Sequence, residues 1–260
     1  MTTLRAGWII TQRDLAHWAR QPWAPIFGLL FSIMLLLVFG FLFGGAITVP
    51  GGGDYIHFLL PGMLALSMMF GVEATATAMA NDSRKGITDR FRSMPIGSAS
   101  VALGRVGADM VNSAVELAVL ILGGLLIGWR ISGDPASAAL AVLLLLLLRF
   151  AVLWIGIFVG LTFRGDGATM AVQVLVWPIG FLSTAIVSAE TMPGWLGAIA
   201  AWNPLSATAS AARQLFGNPT GITEGPLMDG AVWLAVGWPL LIIAIFVPLS
   251  ARAYRKLRQA

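Results

Sequence analysis

Three ionisable side chains stand inside long apolar runs of this 260-residue chain: Glu73, Glu116 and Arg149. Arg149 is flanked by Leu143–Leu148 on one side and Phe150–Trp154 on the other. A guanidinium facing hydrocarbon there costs about 2.5–3.5 kcal/mol on insertion scales, so it must meet protein, a partner subunit or a wet cavity. Such groups pair as structural glue, relay protons or ions, or balance a charged substrate. A short connection near Arg130 separates the segments holding Glu116 and Arg149, which puts the two at nearly matching depths. A Glu116–Arg149 pair is the simplest assignment. Glu73 reads either as a counter-charge for a cationic amphiphile or as a helix–helix hydrogen-bonding group.

Other chemistry finds no residues to carry it. Cysteine is absent, which removes disulfides, thiolate catalysis and cysteine metal sites. His17 and His57 supply no HExxH pair or three-ligand cluster. There is neither a GxxxxGK[ST] phosphate loop nor a GxSxG elbow, and the carboxylates are scattered. The chain is therefore not expected to be an enzyme. If ATP drives it, another polypeptide must bind that ATP.

The elements that position these residues follow from composition. Hydrophobic residues make up 58% of the chain and charged residues only 11%, where a soluble domain carries about 25% charge. Mean hydropathy is +0.85. The apolar residues form runs long enough to cross roughly 30 Å of hydrocarbon as helices. The fold class is an all-α polytopic membrane protein, with 1–260 as a single membrane domain. Six spans are predicted, over Trp23–Ile47, Phe58–Ala80, Val106–Gly128, Ala136–Leu161, Ala168–Ser188 and Gly230–Ser250.

An even number of spans puts both termini on one side. With the termini inside, the inner segments hold 13 of the 16 basic residues, and the outer ones keep Arg130 and Arg213. That bias assigns an N-in, C-in topology, and it accounts for a pI near 10.3 without a nucleic-acid partner. Residues 1–22 precede the first span. On a helical wheel Leu4, Trp8, Leu15 and Trp18 fall within about 80° of one another, opposite Arg13, His17 and Arg20. This reads as an amphipathic helix in the inner interface, broken at Gln21-Pro22. Gly40/Gly44, Gly124/Gly128 and Gly156/Gly160 sit four apart and read as helix-packing faces.

Two connections stand out. The inner loop 81–105 carries a short helix candidate ended by Pro95, with Ile87, Phe91 and Met94 on one face and Asp89, Arg90 and Arg92 beside them. It suits docking into a cleft on another protein, and it equally suits a topology-setting loop against headgroups. The outer segment 189–229 is too interrupted to cross a bilayer. Pro193 and Trp195 open one short apolar piece; Asn203-Pro204 starts a second, which carries Arg213 and ends at Gly217. It reads as re-entrant or surface helices, forming an outer gate or a passive cap.

In their order around six spans, these segments resemble the membrane subunits of type-2 ABC exporters, in particular the actinobacterial daunorubicin/doxorubicin-resistance permease group. The resemblance is carried by Leu60-Pro61-Gly62, by the run from Asp82 to Pro95, by Pro193-Gly-Trp195-Leu196, by Asn203-Pro204-Leu205-Ser206 and by Ala212–Gly217. It implies an inner interfacial helix, a coupling helix between spans two and three, and outer re-entrant helices between spans five and six. It implies two ATPase partner subunits, which bind ATP and Mg2+, and a second permease copy as homodimer or related heterodimer. No cofactor is expected on this chain itself. The implied activity is export of a hydrophobic or amphiphilic compound, drug-like or lipid, across the plasma membrane of a bacterium, with membrane lipid as surroundings. The alternative class is an ion-gradient-driven secondary transporter or channel, which would work without an ATPase and depend on Glu73, Glu116 or Arg149.

Overall fold

Local signals set where most helices start and stop. The structure is a computed structural model that describes residues 3–20, 22–84, 98–163, 166–223 and 225–259. Helix α1 (Thr3–Arg20) is followed by α2 (Trp23–Leu37), which runs on into a π turn at Val38–Leu42. Then come α3 (Tyr55–Arg84), α4 (Ser98–Leu126), α5 (Pro135–Thr162) and α6 (Asp166–Phe181). Short α7 (Gly194–Ala201), α8 (Pro204–Phe216) and α9 (Pro226–Asp229) precede the long α10 (Ala231–Gln259). Asp134 caps α5 through the Ala136 and Ser137 amides, with Pro135 in the first turn, where its missing N–H costs nothing. Asn203 and Pro204 start α8 in the same way, and Gly217 ends it at φ 68°, a left-handed position that favours glycine.

Among the described residues, four helices are long and apolar enough to cross a membrane: Tyr55–Asn81, Leu103–Leu126, Pro135–Thr162 and Ala231–Tyr254. The first and fifth predicted spans hold shorter apolar helical stretches, Ile26–Leu42 and Val172–Phe181. Each stops for a local reason. The π turn and Gly44-Gly45 end the first, and Pro178 withdraws an amide near the end of α6 before residues 182–188 turn back. The chain is thus a mostly helical, polytopic membrane protein with several apolar membrane helices.

The centre of the bundle is α3 against α5. Gly156 and Gly160 let α5 close onto the α3 backbone: a Cβ at either would stand 2.8 Å from the Val72 carbonyl oxygen or 2.6 Å from that of Ala76. Gly124 of α4 likewise meets Leu60 of α3, whereas Gly128 (φ 104°) makes the turn after α4. The core runs through Leu59, Leu60, Leu64, Leu120, Leu145 and Phe216. At the rim, α10 exposes Trp233, Leu240 and Ile245 as a lipid-facing helix would. Helix α1 lies along the first half of α4, and α8 closes the other end of the bundle.

Candidate functional site

A buried polar chain starts on α1. Thr11 Oγ1 donates to the Gly104 carbonyl of α4 at 2.9 Å, and Asp14 accepts from Arg13 at 2.7 Å. Asp14 also faces Arg105 of α4 at 3.9 Å. Arg105 Nε donates to Asp109 Oδ2 at 3.3 Å, an i,i+4 pair one turn deeper. Asp109 Oδ2 accepts again from Thr75 Oγ1 of α3, at 2.8 Å. Thr75 Oγ1 in turn accepts from Arg149 Nη2 at 3.3 Å, while Arg149 Nε donates to Ser113 Oγ at 2.8 Å. Gly71 of α3 makes the room: a Cβ there would stand 2.0 Å from Arg149 Nη1.

Arg149 is therefore buried among protein groups, but Glu116 is not its bonded partner. Glu116 accepts from Ser32 of α2 at 3.1 Å, and no ion pair joins it to Arg149 among the described residues. Matching depth was the reason to expect the pair. Rotation about α4 decides otherwise, because Arg149 meets Ser113, three residues before Glu116.

Glu73 lies on the opposite side of α3. Its carboxylate accepts from the Gln173 amide of α6. One turn away is an aromatic cluster from α2, α3 and α6. Trp177 packs on Phe70 at 4.6 Å, edge-on to Phe31 at 5.5 Å, and stacks on Phe181 at 5.8 Å. Met170, Val174 and Leu175 beside it are exposed, as are Phe27, Leu30 and Met34 on α2.

At the other end Arg213 of α8 is fully buried. Its Nε donates to the Phe58 carbonyl at 2.8 Å, and Nη2 to the Thr184 and Ala185 carbonyls at 2.8 and 2.9 Å. The guanidinium also covers the Phe58 ring at 3.7 Å. Burial pushes its pKa down to about 9, which still leaves it protonated at neutral pH. Asn203 caps α8 and donates to the Ile179 and Leu182 carbonyls at 2.8 and 2.9 Å, fastening α8 to the turn after α6. Trp129 donates to Asn218 at 2.9 Å, and the Ser132 and Gly133 amides take the Phe216 carbonyl. Pro193 and Trp195 are exposed at the start of α7. Ile87, Asp89, Arg90, Phe91, Arg92, Met94 and Pro95 lie outside the described residues.

Comparison with known proteins gives this arrangement a family. Residues 5–216 match the family model described as ABC-2 type transporter. The chain is 33% identical over 230 residues to the daunorubicin resistance ABC transporter permease protein DrrB1 of Streptomyces coeruleorubidus, covering 87% of this chain and 77% of that one. The chain belongs to the ABC-2 type transporter family. It is also 25% identical over 254 residues to the putative transport permease ycf38 of Cyanophora paradoxa, covering 96% and 87% of the two chains. A probable doxorubicin resistance ABC transporter permease protein DrrC of Mycobacterium tuberculosis is 22% identical over 250 residues, covering 95% and 87%.

As an ABC-2 protein the chain is the membrane permease component of an ABC exporter. ABC-2 permeases lack nucleotide-binding motifs, and ATP hydrolysis occurs on a separate ATPase subunit. Among the described residues no group of three His, Asp or Glu side chains is placed to hold a metal ion. The family also implies an ATPase partner and makes a paired permease arrangement possible.

Sequence reasoning missed Asp14, Asp109, Thr75 and Ser113 of the polar chain. A usable signal existed for one of them: Asp109 stands four residues after Arg105, just inside an apolar run. Thr75 and Ser113 carried none, since a hydroxyl in a membrane helix commonly bonds its own backbone, and the Gly71 carbonyl stands 3.1 Å from Thr75 Oγ1 as a competing acceptor.

Proposed function

We propose that this permease works as one of two membrane copies joined to two ATPase subunits, in an N-in, C-in arrangement of six spans in a bacterial plasma membrane. The end bearing α1 and loop 81–105 is cytosolic, and the segment 189–229 is the outer gate. Nucleotide-driven closure of the ATPases, with ATP and Mg2+ bound there, pushes on Ile87–Pro95 and on α1. The permease then alternates between two states of different substrate affinity. The substrate travels along the face formed by α2, α3 and α6, beside Phe31, Phe70, Trp177 and the Glu73–Gln173 pair. An amphiphile there meets aromatic surface and a polar contact at membrane depth.

The observation that carries this reading is the fastening of α1 onto Gly104, Arg105 and Gly107, at the exit of the loop a partner would grip. A push on that loop and a push on α1 reach the same helix.

The test is ATP-dependent transport in liposomes by the permease purified with its ATPase. Charge reversal of Arg90 and Arg92, or Phe91→Ala, is expected to weaken ATPase association at least about tenfold while membrane insertion stays normal. Normal association and transport in all three variants would sink the docking role. Transport driven by an ion gradient without any ATPase would favour the secondary-transporter alternative.

A further inference from the structure

We propose that α1 and the first turns of α4 move as a single lever, and that Asp109 is the positioning residue that hands its displacement to α3 and α5. The proposal rests on the reading that an ATPase partner acts at the α1 end. It assigns roles to residues the docking account leaves idle.

The lever follows from how α1 is held. Thr11 is buried, donates to the Gly104 carbonyl, and packs on Gly107, where a Cβ would stand 2.7 Å from its Oγ1. Three residues on, buried Asp14 faces Arg105, and Trp18 lies under the same guanidinium at 5.9 Å. Sliding α1 along α4 would break a buried hydrogen bond and separate an ion pair together, so displacing both helices as a unit is cheaper.

The joint follows from what Asp109 touches. Its Oδ2 accepts from Arg105 on its own helix and from Thr75 on α3, and Thr75 Oγ1 accepts from Arg149 on α5. Acid and base alternate along this path from Asp14 to Arg105, Asp109 and Arg149, with the Thr75 hydroxyl bridging the last two. In apolar surroundings a charge that loses its partner is strongly penalised, so a shift of Arg105 draws Asp109, Thr75 and Arg149 with it. The path ends mid-helix in α5, on the element packed against the centre of the bundle.

Two measurements test the two halves. The chain has no cysteine, and an added Cβ at Gly107 lies 3.7 Å from the Thr11 Cβ, within the range of about 3.5–4.5 Å that a disulfide needs. Thr11→Cys with Gly107→Cys is expected to cross-link on oxidation and still to transport within about twofold of the reduced protein, as a single lever should. Failure to cross-link, or arrest that dithiothreitol reverses, would overturn the lever. Asp109→Asn is expected to lower transport per ATP hydrolysed by about 5- to 150-fold while the complex assembles and hydrolyses ATP, with Asp109→Glu recovering part of the loss. An unchanged ratio, or a parallel loss of hydrolysis and transport, would overturn the joint. If Asp109→Asn does not assemble, Thr75→Val is read in the same way, since it cuts the link to α3 and α5 and leaves Asp109 with Arg105. Absence of ATP-dependent transport by the unaltered complex would sink the underlying reading instead, and is distinguishable from all of these outcomes.

Discussion

Arg149 and Arg213 are both buried arginines in an apolar bundle, each with one terminal nitrogen unpaired among the described residues, yet the protein holds them in opposite ways. Arg149 is held by side chains, the hydroxyls of Ser113 and Thr75, and through Thr75 it joins a run of charges that reaches α1. Arg213 is held by main chain, the carbonyls of Phe58, Thr184 and Ala185, and its charge rests on a ring face. Side-chain partners can rotate and follow a moving helix. Carbonyls fixed in a helix and a tight turn cannot. The first site suits transmission and the second suits a clamp that keeps α3, α8 and the turn after α6 in register.

The sharpest way to break this contrast is to remove the clamp. Arg213→Gln leaves buried carbonyls short of donors and is expected to cost about 1–3 kcal/mol for each one left unpaired, read as loss of monodisperse protein in detergent. Arg213→Lys should not rescue it, because one ammonium cannot reproduce the planar fork that reaches two elements at once. Recovery by lysine would show that charge alone matters there.

A subtler test uses two glycines of the same helix. A Cβ at Gly62 would meet the Ala185 carbonyl oxygen at 1.9 Å, and one at Gly71 would meet Arg149 Nη1 at 2.0 Å. The clashes are equal on paper, but the first obstacle is backbone and the second is the end of a flexible side chain. Gly62→Ala is expected to destabilise by about 1–3 kcal/mol or more, visible as a lowered Tm. Gly71→Ala should fold with a smaller drop in Tm and lose transport, because it displaces the Arg149 guanidinium. The reverse order would erase the distinction between clamp and relay.

The smallest effect belongs to an exposed charge, which bounds the comparison from the other side. The Ser137 hydroxyl, followed by the Ser137 and Ala136 amides, holds the Asp134 carboxyl below the usual carboxylate range. A folded-state value below the unfolded one, which is about 3.9, means the stabilisation is present above that unfolded value. It is lost as pH falls through the folded value. Asp134→Asn should therefore lower Tm slightly at pH 7, with the gap closing below about pH 4.

How much of this was legible beforehand differs residue by residue. Arg149 is conspicuous in its run of leucines, and burial among protein groups follows from the cost of exposing it. Its partners do not follow, because a hydroxyl such as Ser113 looks no different in sequence from one that bonds its own helix. Glu116 had the right depth for Arg149 but the wrong azimuth. For Arg213 the sequence marks its helix, with Asn203-Pro204 at one end and Gly217 at the other. It says nothing of the carbonyls that hold the guanidinium, since every residue has a carbonyl. The fifth predicted span runs past the end of its helix because hydropathy continues through Leu182 and Ile186, whereas Pro178 weakens the helix locally and Asn203 and Arg213, far along the chain, hold the turn that follows.

The sequence by itself determined that the chain is a polytopic membrane protein of mostly helical build, and which charges must be hidden. Those are matters of composition and run length, and transfer from water to hydrocarbon is governed by exactly such local sums. Only the tertiary structure decided which groups the hidden charges meet. Hydrogen bonding depends on ångström distances and on the rotation of one helix against another, and packing of small residues such as Gly71 and Gly156 sets both.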